Sequence, residues 1–257
     1  MKTYYALLTQ VDKAIEEVVK VVKEQGVYDK TMIIFTSDNG EFRAAHGLSD
    51  KWYPYEESIR VPLIIKDPRM PKEKIGTVDE ALTLNVDLAS TILGAAGLAS
   101  NPGMQGRDMA DLYLPCRRPG KDAAAEARCQ YPWRSEYYYE FPLAHGGLIA
   151  SSALVRKKWK FMSWKWRNYT QLFNLENDPL EMNDLANLTE FAGVKEDMRA
   201  RHEALSLAVM APIVPGTECD PLWPKGTKVH VKCCCEGPQV DLNEFAMSSR
   251  NMDTKYF

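Results

Sequence analysis

The segment TSDNGEFRAAHGLSDKW, residues 36–52, carries Asp38, Asn39, His46 and Lys51 on one stretch of chain, with no nucleophile among them. A carboxylate and an amide oxygen on adjacent residues suit a hard cation such as calcium. The same Asp-Asn-Gly composition also describes an Asx turn, in which both side chains cap local backbone. Lys51 stands beside Trp52, Tyr53, Pro54 and Tyr55, and an ammonium group held in a drier, aromatic cleft attracts an anion more strongly than one in bulk water. A snorkelling surface lysine and a hydrogen-bonded loop histidine are the plainer readings of Lys51 and His46. Taken together, a bound cation, a lysine and a histidine on one loop would make an anion site.

Such a loop needs a rigid element to deliver it. Residues 31–35, TMIIF, form a short apolar run ending in turn chemistry at Thr36–Gly40, which predicts a buried strand presenting polar residues at its carboxyl end. In open α/β sheets that is where ligands collect. Gly40 provides the backbone freedom for Asp38 and Asn39 to converge. Upstream, residues 4–25 place Tyr4, Leu7, Leu8, Val11, Ile15, Val18, Val19 and Val22 on one face. This predicts a helix capped by Gly26 that covers the sheet. Downstream, VPLII at 61–65 reads as a second buried strand. Asp87 reads as the cap of a helix through Leu88, Ile92 and Leu93 to Gly97.

Beyond Gly106 the texture changes. Residues 106–131 lack periodicity and read as a connection to a second lobe. There RSEYYYEFP, GLIASSALV, RKKWKFMSW and TQLFNL are strand-like, and NDPLEMNDLAN turns into a final helix near 190–209. These pieces predict a small antiparallel sheet packed on the larger lobe. Trp159, Trp164, Trp166 and Tyr169 fit the apolar face of that sheet, and the same rings could stack on sugars. Arg156, Lys157, Lys158 and Lys160 read as a solvated strand face, which an anionic glycan could also use.

Composition narrows the class. A chain of 257 residues with 45% hydrophobic content can bury a substantial core. A net charge of −3 argues against a dedicated nucleic-acid binder. No apolar stretch approaches the length of a membrane span, and the polar run through Gln10, Asp12, Glu16 and Glu17 does not read as a signal peptide. Asn168-Tyr169-Thr170 and Asn187-Leu188-Thr189 are glycosylation sequons compatible with export. The six cysteines include the run Cys233–Cys235, and none has the spacing of a zinc site. Residues 210–257, rich in proline and carrying that run, read as a poorly ordered appendage.

Five segments in this order, TMIIFTSDNGEF, HGLSDKWYPYEESIRVPLIIKDPR, LNVDLASTILGAAGL with GMQGRDMADLY, and LFNLENDPLEMNDLAN, resemble the second half of a sulfatase of the alkaline-phosphatase superfamily. The helix YYALLTQVDKAIEEVV resembles the family helix before the first strand, so the likeness runs over roughly residues 4–205. The second lobe is most similar to the sulfoglucosamine sulfohydrolase type. The resemblance implies an α/β fold: the C-terminal half of an alkaline-phosphatase-like sheet with flanking helices, then a small antiparallel sheet and a C-terminal helix. It implies domains at 1–110, 111–209 and 210–257. It also implies that Asp38 and Asn39 are calcium ligands, that Lys51 and His46 are catalytic residues, with Lys51 binding the sulfate group, and that His145 faces the substrate. The implied substrate is a sulfated small molecule or glycan, and the implied location is secreted, periplasmic or lysosomal.

The departures from the family pattern are equally specific. The attacking group of sulfatases is a formylglycine made in a Cys-x-Pro-x-Arg motif upstream of the metal loop. Cys116-Arg117-Arg118-Pro119 has its proline one place too late and lies after that loop. The family's first acidic metal pair and the intervening lysine and histidine have no counterpart here, and Arg43-Ala44-Ala45 replaces the usual Gly/Glu-rich spacer. The expectation is therefore the C-terminal part of a sulfuric ester hydrolase, inactive by itself, whose formylglycine belongs to a missing N-terminal half. A non-catalytic binding module or gene fragment of sulfatase origin is the alternative, as is a phosphodiesterase or phosphonate hydrolase of the same superfamily.

Overall fold

The apolar stripe at the amino end folds as α1, Lys2–Glu24, in a computed structural model that describes residues 2–101, 103–115, 132–141, 149–164 and 167–210. His145, Trp166, all six cysteines and the tail past Met210 lie outside the described residues. Gly26 ends α1 in the left-handed region (φ 68°), and the Gly26 and Val27 N–H groups donate to Lys23 O and Val22 O. No side chain of α1 is buried, and Leu7, Leu8, Val11 and Val18 are exposed. The expected covering of the sheet is not seen, because no described element buries the apolar stripe.

Both predicted strands of the first lobe form, as β1 (Ile33–Thr36) and β2 (Leu63–Lys66), and they pair antiparallel with Ile33 opposite Lys66 and Thr36 opposite Leu63. The chain between them contains a 3-10 turn at Ala45–Gly47 and a one-turn helix, α2 (Glu56–Ile59). They are not the buried strands expected. β1 is half-buried throughout and Ile64 of β2 is 64% exposed, since this two-stranded sheet has no further strand among the described residues.

Helix α3 spans Val86–Ala95 and closes at Gly97 (φ 72°), where Leu98 N–H donates to Leu93 O. Asp87 is not its cap. It sits inside the first turn, fully buried, where it accepts from the Leu84 and Arg107 N–H groups and takes a two-pronged contact from Arg134. A buried carboxylate needs such full satisfaction, and four donors supply it.

The second sheet runs β3 (Glu136–Phe141), β4 (Ser151–Arg156), β5 (Trp159–Trp164) and β6 (Tyr169–Asn174), antiparallel throughout and in sequence order. Side chains alternate between two covered faces. One face, with Ala153, Val155, Met162, Trp164 and Phe173, receives Phe42 and Tyr55 from the first lobe. On the other, Ser152 and Phe161 meet His202 of the final helix, α4 (Ala192–Met210), with Ser152 Oγ 2.9 Å from His202 Nε2. Lys160 corrects the reading of a solvated basic strand face: it is fully buried among Glu56 and Glu181, whereas Lys157 and Lys158 are exposed and paired with Glu80 and Glu176. Its position on β5 points it at the covered face shared with Phe173, so an acid pair must compensate it.

The described residues up to His202 form one compact unit, and the rest of α4 from Glu203 belongs to a second. No helix among the described residues is long and apolar enough to cross a membrane.

Candidate active site

Directly beyond β1, the Ser37 hydroxyl lies 2.9 Å from Asn39 O and 3.3 Å from Asp38 Oδ1. Asn39 Nδ2 donates to Gly40 O at 2.8 Å, and Asn85 Nδ2 to the Asp38 carbonyl at 2.9 Å. Neither side-chain oxygen accepts a backbone N–H, so the Asx turn is not formed. The Asp38 carboxylate, met only by the Ser37 hydroxyl, and the Asn39 amide oxygen remain free among the described residues to meet a hard cation. The two residues fit calcium as part of a larger oxygen shell.

Gly40 contributes through its missing side chain rather than through an unusual φ. Its N–H donates to Ser58 O at 2.8 Å, and a Cβ there would overlap the Glu57 carbonyl. Gly40→Ala is expected to force the loop from α2 at a cost of about 1–3 kcal/mol, read as a lowered Tm. An unchanged melt would show that the loop yields freely.

The chain from Glu41 to Trp52 is held in an uncommon conformation. Arg43, Ala44, His46, Asp50 and Trp52 all have positive φ, from 46° to 86°. Residues of this kind each cost of order 1–3 kcal/mol and persist only where their surroundings enforce them. The enforcing contacts lie on either side of Lys51. Phe42, buried among Tyr55, Trp164 and Phe173, donates its N–H to Asp50 O at 2.8 Å. Tyr139 of β3 donates its hydroxyl to Trp52 O at 2.7 Å, and burial pushes that phenol up, keeping it a neutral donor. Lys51 itself has no ion-pair partner among the described residues, and its ammonium lies 6.0 Å from the Trp52 ring centroid. Asp38, Asn39 and Lys51 line one broad cleft, together with Trp52, Arg60 and Tyr139.

His46 is not part of that cleft. Its ring stacks on Tyr55 at 4.2 Å, and its Nε2 lies 3.3 Å from Glu57 Oε2. Ligand atoms of His46, Glu57 and Glu181 fall within 4.8 Å of one another, a spacing that could hold a metal. Lys160 already supplies a cation there, however, with its ammonium 2.7 Å from Glu181 Oε1 and 2.6 Å from Glu56 Oε1. The other Glu181 oxygen accepts the Glu56 N–H at 2.7 Å and so caps α2. Burial pushes the Glu181 carboxyl up against the opposing pull of Lys160. This cluster fastens the loop and α2 onto the second sheet.

Sequence reasoning missed Phe42, Tyr139, Glu57, Glu181 and Lys160 as the parts that hold the loop. Only Phe42, an apolar residue inside an otherwise polar segment, carried a local signal. His145 lies outside the described residues.

Residues 44–207 match the family model described as N-sulphoglucosamine sulphohydrolase, C-terminal. The chain is 30% identical over 203 residues to an N-acetylglucosamine-6-O-sulfatase of Bacteroides thetaiotaomicron, covering 77% of this chain and 34% of that protein. It is similar to the solved structure of BT4656 in complex with its substrate D-glucosamine-2-N,6-O-disulfate, with a TM-score of 0.66, 26% identity, and coverage of 77% of this chain and 38% of that one. It also shares the fold of a phosphonate monoester hydrolase of Agrobacterium radiobacter, with a TM-score of 0.64, 24% identity, and coverage of 80% and 40%. The chain thus spans about a third of the length of the curated relatives it matches.

Proposed function

Because the chain belongs to the sulfatase family, through its N-sulphoglucosamine sulphohydrolase C-terminal region, we propose that it provides the second calcium pair and the sulfate-binding lysine of an enzyme that hydrolyses sulfate esters of sugars. The observation that carries this reading is the shared cleft, whose lining includes Asp38 and Asn39 just beyond β1 and Lys51, whose ammonium has no ion-pair partner among the described residues. Asp38 and Asn39 hold calcium through Oδ atoms, and Lys51 neutralises the sulfate oxygens as charge shifts onto the leaving oxygen. His46 acts at a distance by holding the loop, and His145 reads the part of the substrate that does not react.

Residues 1–257 contain no Cys-x-Pro-x-Arg sequence. Formylglycine chemistry, nucleophilic attack on sulfur, is therefore assigned to a polypeptide outside these residues, together with the first acidic metal pair. The uncovered apolar stripe of α1 and the exposed Ile64 support that assignment, because both are surfaces that a larger sheet and its helices would bury. The sugar class rests on the names of the relatives. The phosphonate hydrolase alternative stands on the shared fold alone, whereas the sulfatase reading also has the family match to residues 44–207.

Two measurements test the proposal. With only two of the roughly six to eight oxygens a calcium site requires, the purified chain should bind calcium no more tightly than about millimolar, and Asp38→Ala should abolish that binding in a calorimetric titration. Tight binding unaffected by Asp38→Ala would put the cation elsewhere. The chain joined to a formylglycine-bearing N-terminal segment should turn over aryl sulfates faster than aryl phosphonates, and the reverse preference would overturn the sulfatase reading.

A further inference from the structure

A second pocket, of about 560 Å3, shares no lining residue with the cleft that contains Lys51. Its walls are aromatic: Tyr53, Tyr55 and Trp164, with Tyr53 edge-on to Trp164 at 4.8 Å, and Tyr169 at the end of β6, 45% exposed. Its size lies within the usual range for small-molecule sites, and such sites pair apolar walls with a few fixed polar groups.

The fixed group here is Gln171, only 9% exposed. Its Oε1 accepts from both the Tyr55 hydroxyl (3.0 Å) and Trp164 Nε1 (2.9 Å), which fills its acceptor capacity. The amide is thereby oriented, and it has only N–H donors left. The Tyr169 hydroxyl also lies 3.1 Å from Asp184 Oδ2, which fixes that ring at the rim. Arg167, at the same rim, has no ion-pair or hydrogen-bond partner for its guanidinium among the described residues. The pocket therefore offers one guanidinium and one buried amide N–H to a ligand, with the Asp184 carboxylate held by Tyr169 at the rim, between walls of flat rings.

We propose that this pocket binds a pyranose ring carrying an anionic substituent, with the sugar's C–H face on the aromatic wall and its carboxylate or sulfate oxygens on Arg167 and Gln171. The ring faces supply apolar contact with little entropy cost. The guanidinium fork matches a carboxylate or sulfate through two parallel N–H groups. A neutral sugar would gain the stacking and lose the charge-assisted bonds. The inference relies on the proposed sulfatase function only in taking a sugar as the ring. It gives the chain a second hold on an anionic glycan, away from the atoms that react.

Ligand binding to the purified 257-residue chain tests this without reading any turnover. Glucuronate, glucosamine 6-sulfate and neutral N-acetylglucosamine are titrated by saturation-transfer NMR. At least one anionic sugar is expected to bind about tenfold or more tightly than the neutral one, and which of them binds better identifies the carboxylate or the sulfate as the recognised group. Arg167→Ala should erase the preference and Tyr169→Ala should weaken all three severalfold, each variant melting like the parent. Binding that both Arg167→Ala and Tyr169→Ala leave unchanged would place the site elsewhere and overturn the proposal. So would a preference that survives Arg167→Ala, or the absence of binding by any of the three sugars. Failure of sulfate hydrolysis would leave these outcomes unaffected.

Discussion

Lys51→Met, introduced where residues 1–257 work with a formylglycine-bearing segment, is expected to lower kcat/KM for an aryl sulfate by about a hundredfold to a thousandfold. Methionine retains most of the length and packing of the side chain and removes its charge. Because the Lys51 ammonium has no ion-pair partner among the described residues, the fold loses no salt bridge with it, and Tm should stay within about a degree. The loss should fall on kcat as well as KM, since the ammonium meets more negative charge in the transition state than in the bound ester. Unaltered kinetics would reduce Lys51 to a surface lysine and make the strain on both sides of it, at Asp50 and Trp52, a structural detail without function.

The largest stability effect is expected at Lys160. Lys160→Met leaves the Glu181 carboxylate, 2% exposed, without its ammonium partner, while Glu56 can still turn its partly exposed side chain to water. Breaking a buried pair from one side costs about 3–5 kcal/mol, a fall in Tm of order 10 °C for a unit of this size. The pH dependence follows from the sign of the Glu181 shift. Burial already holds its folded-state pKa above the ordinary glutamate value, and removing Lys160 raises it further. The folded variant therefore binds a proton more readily than the unfolded chain, so its stability falls as pH rises between the two pKa values, and the deficit shrinks as acidification passes through the raised folded-state pKa towards the unfolded one. Glu181→Gln in the same chain should recover part of the loss by removing the uncompensated charge. A Lys160→Met variant that melts with the parent at neutral pH would show that the cluster contributes nothing net to the fold.

The two effects are linked through the loop. Lys160, Glu56 and Glu181 clamp α2 to β5, His46 reaches Glu57 of the same turn, and Phe42 and Tyr55 are buried against the second sheet. A weakened clamp should therefore blunt the action of Lys51 without touching the cleft. In structural terms, the second sheet is the platform on which the loop carrying Lys51 is set.

Local chemistry carried much of this into the sequence. The period-2 runs gave four strands of the second sheet, since a strand between two covered faces must alternate its side chains whatever its neighbours do. Gly26 and Gly97 marked helix ends because a left-handed residue there is cheapest as glycine. Asp38, Asn39 and Lys51 were grouped by the resemblance of the surrounding motifs to sulfatases, not by residue type, and the family match to residues 44–207 agrees with that resemblance. Tertiary structure alone decided three matters, each of which depends on partners far away in the chain. Lys160 looked like its solvated neighbours, and its burial follows from acids 104 and 21 positions away. Asp87 had the composition of a helix cap, and became a buried ion-pair partner because Arg134 reaches it from 47 residues further on. The stripe on α1 announced a helix with an apolar face, but periodicity specifies only that a face exists. What covers it depends on which chain packs there, and local sequence holds no information about that.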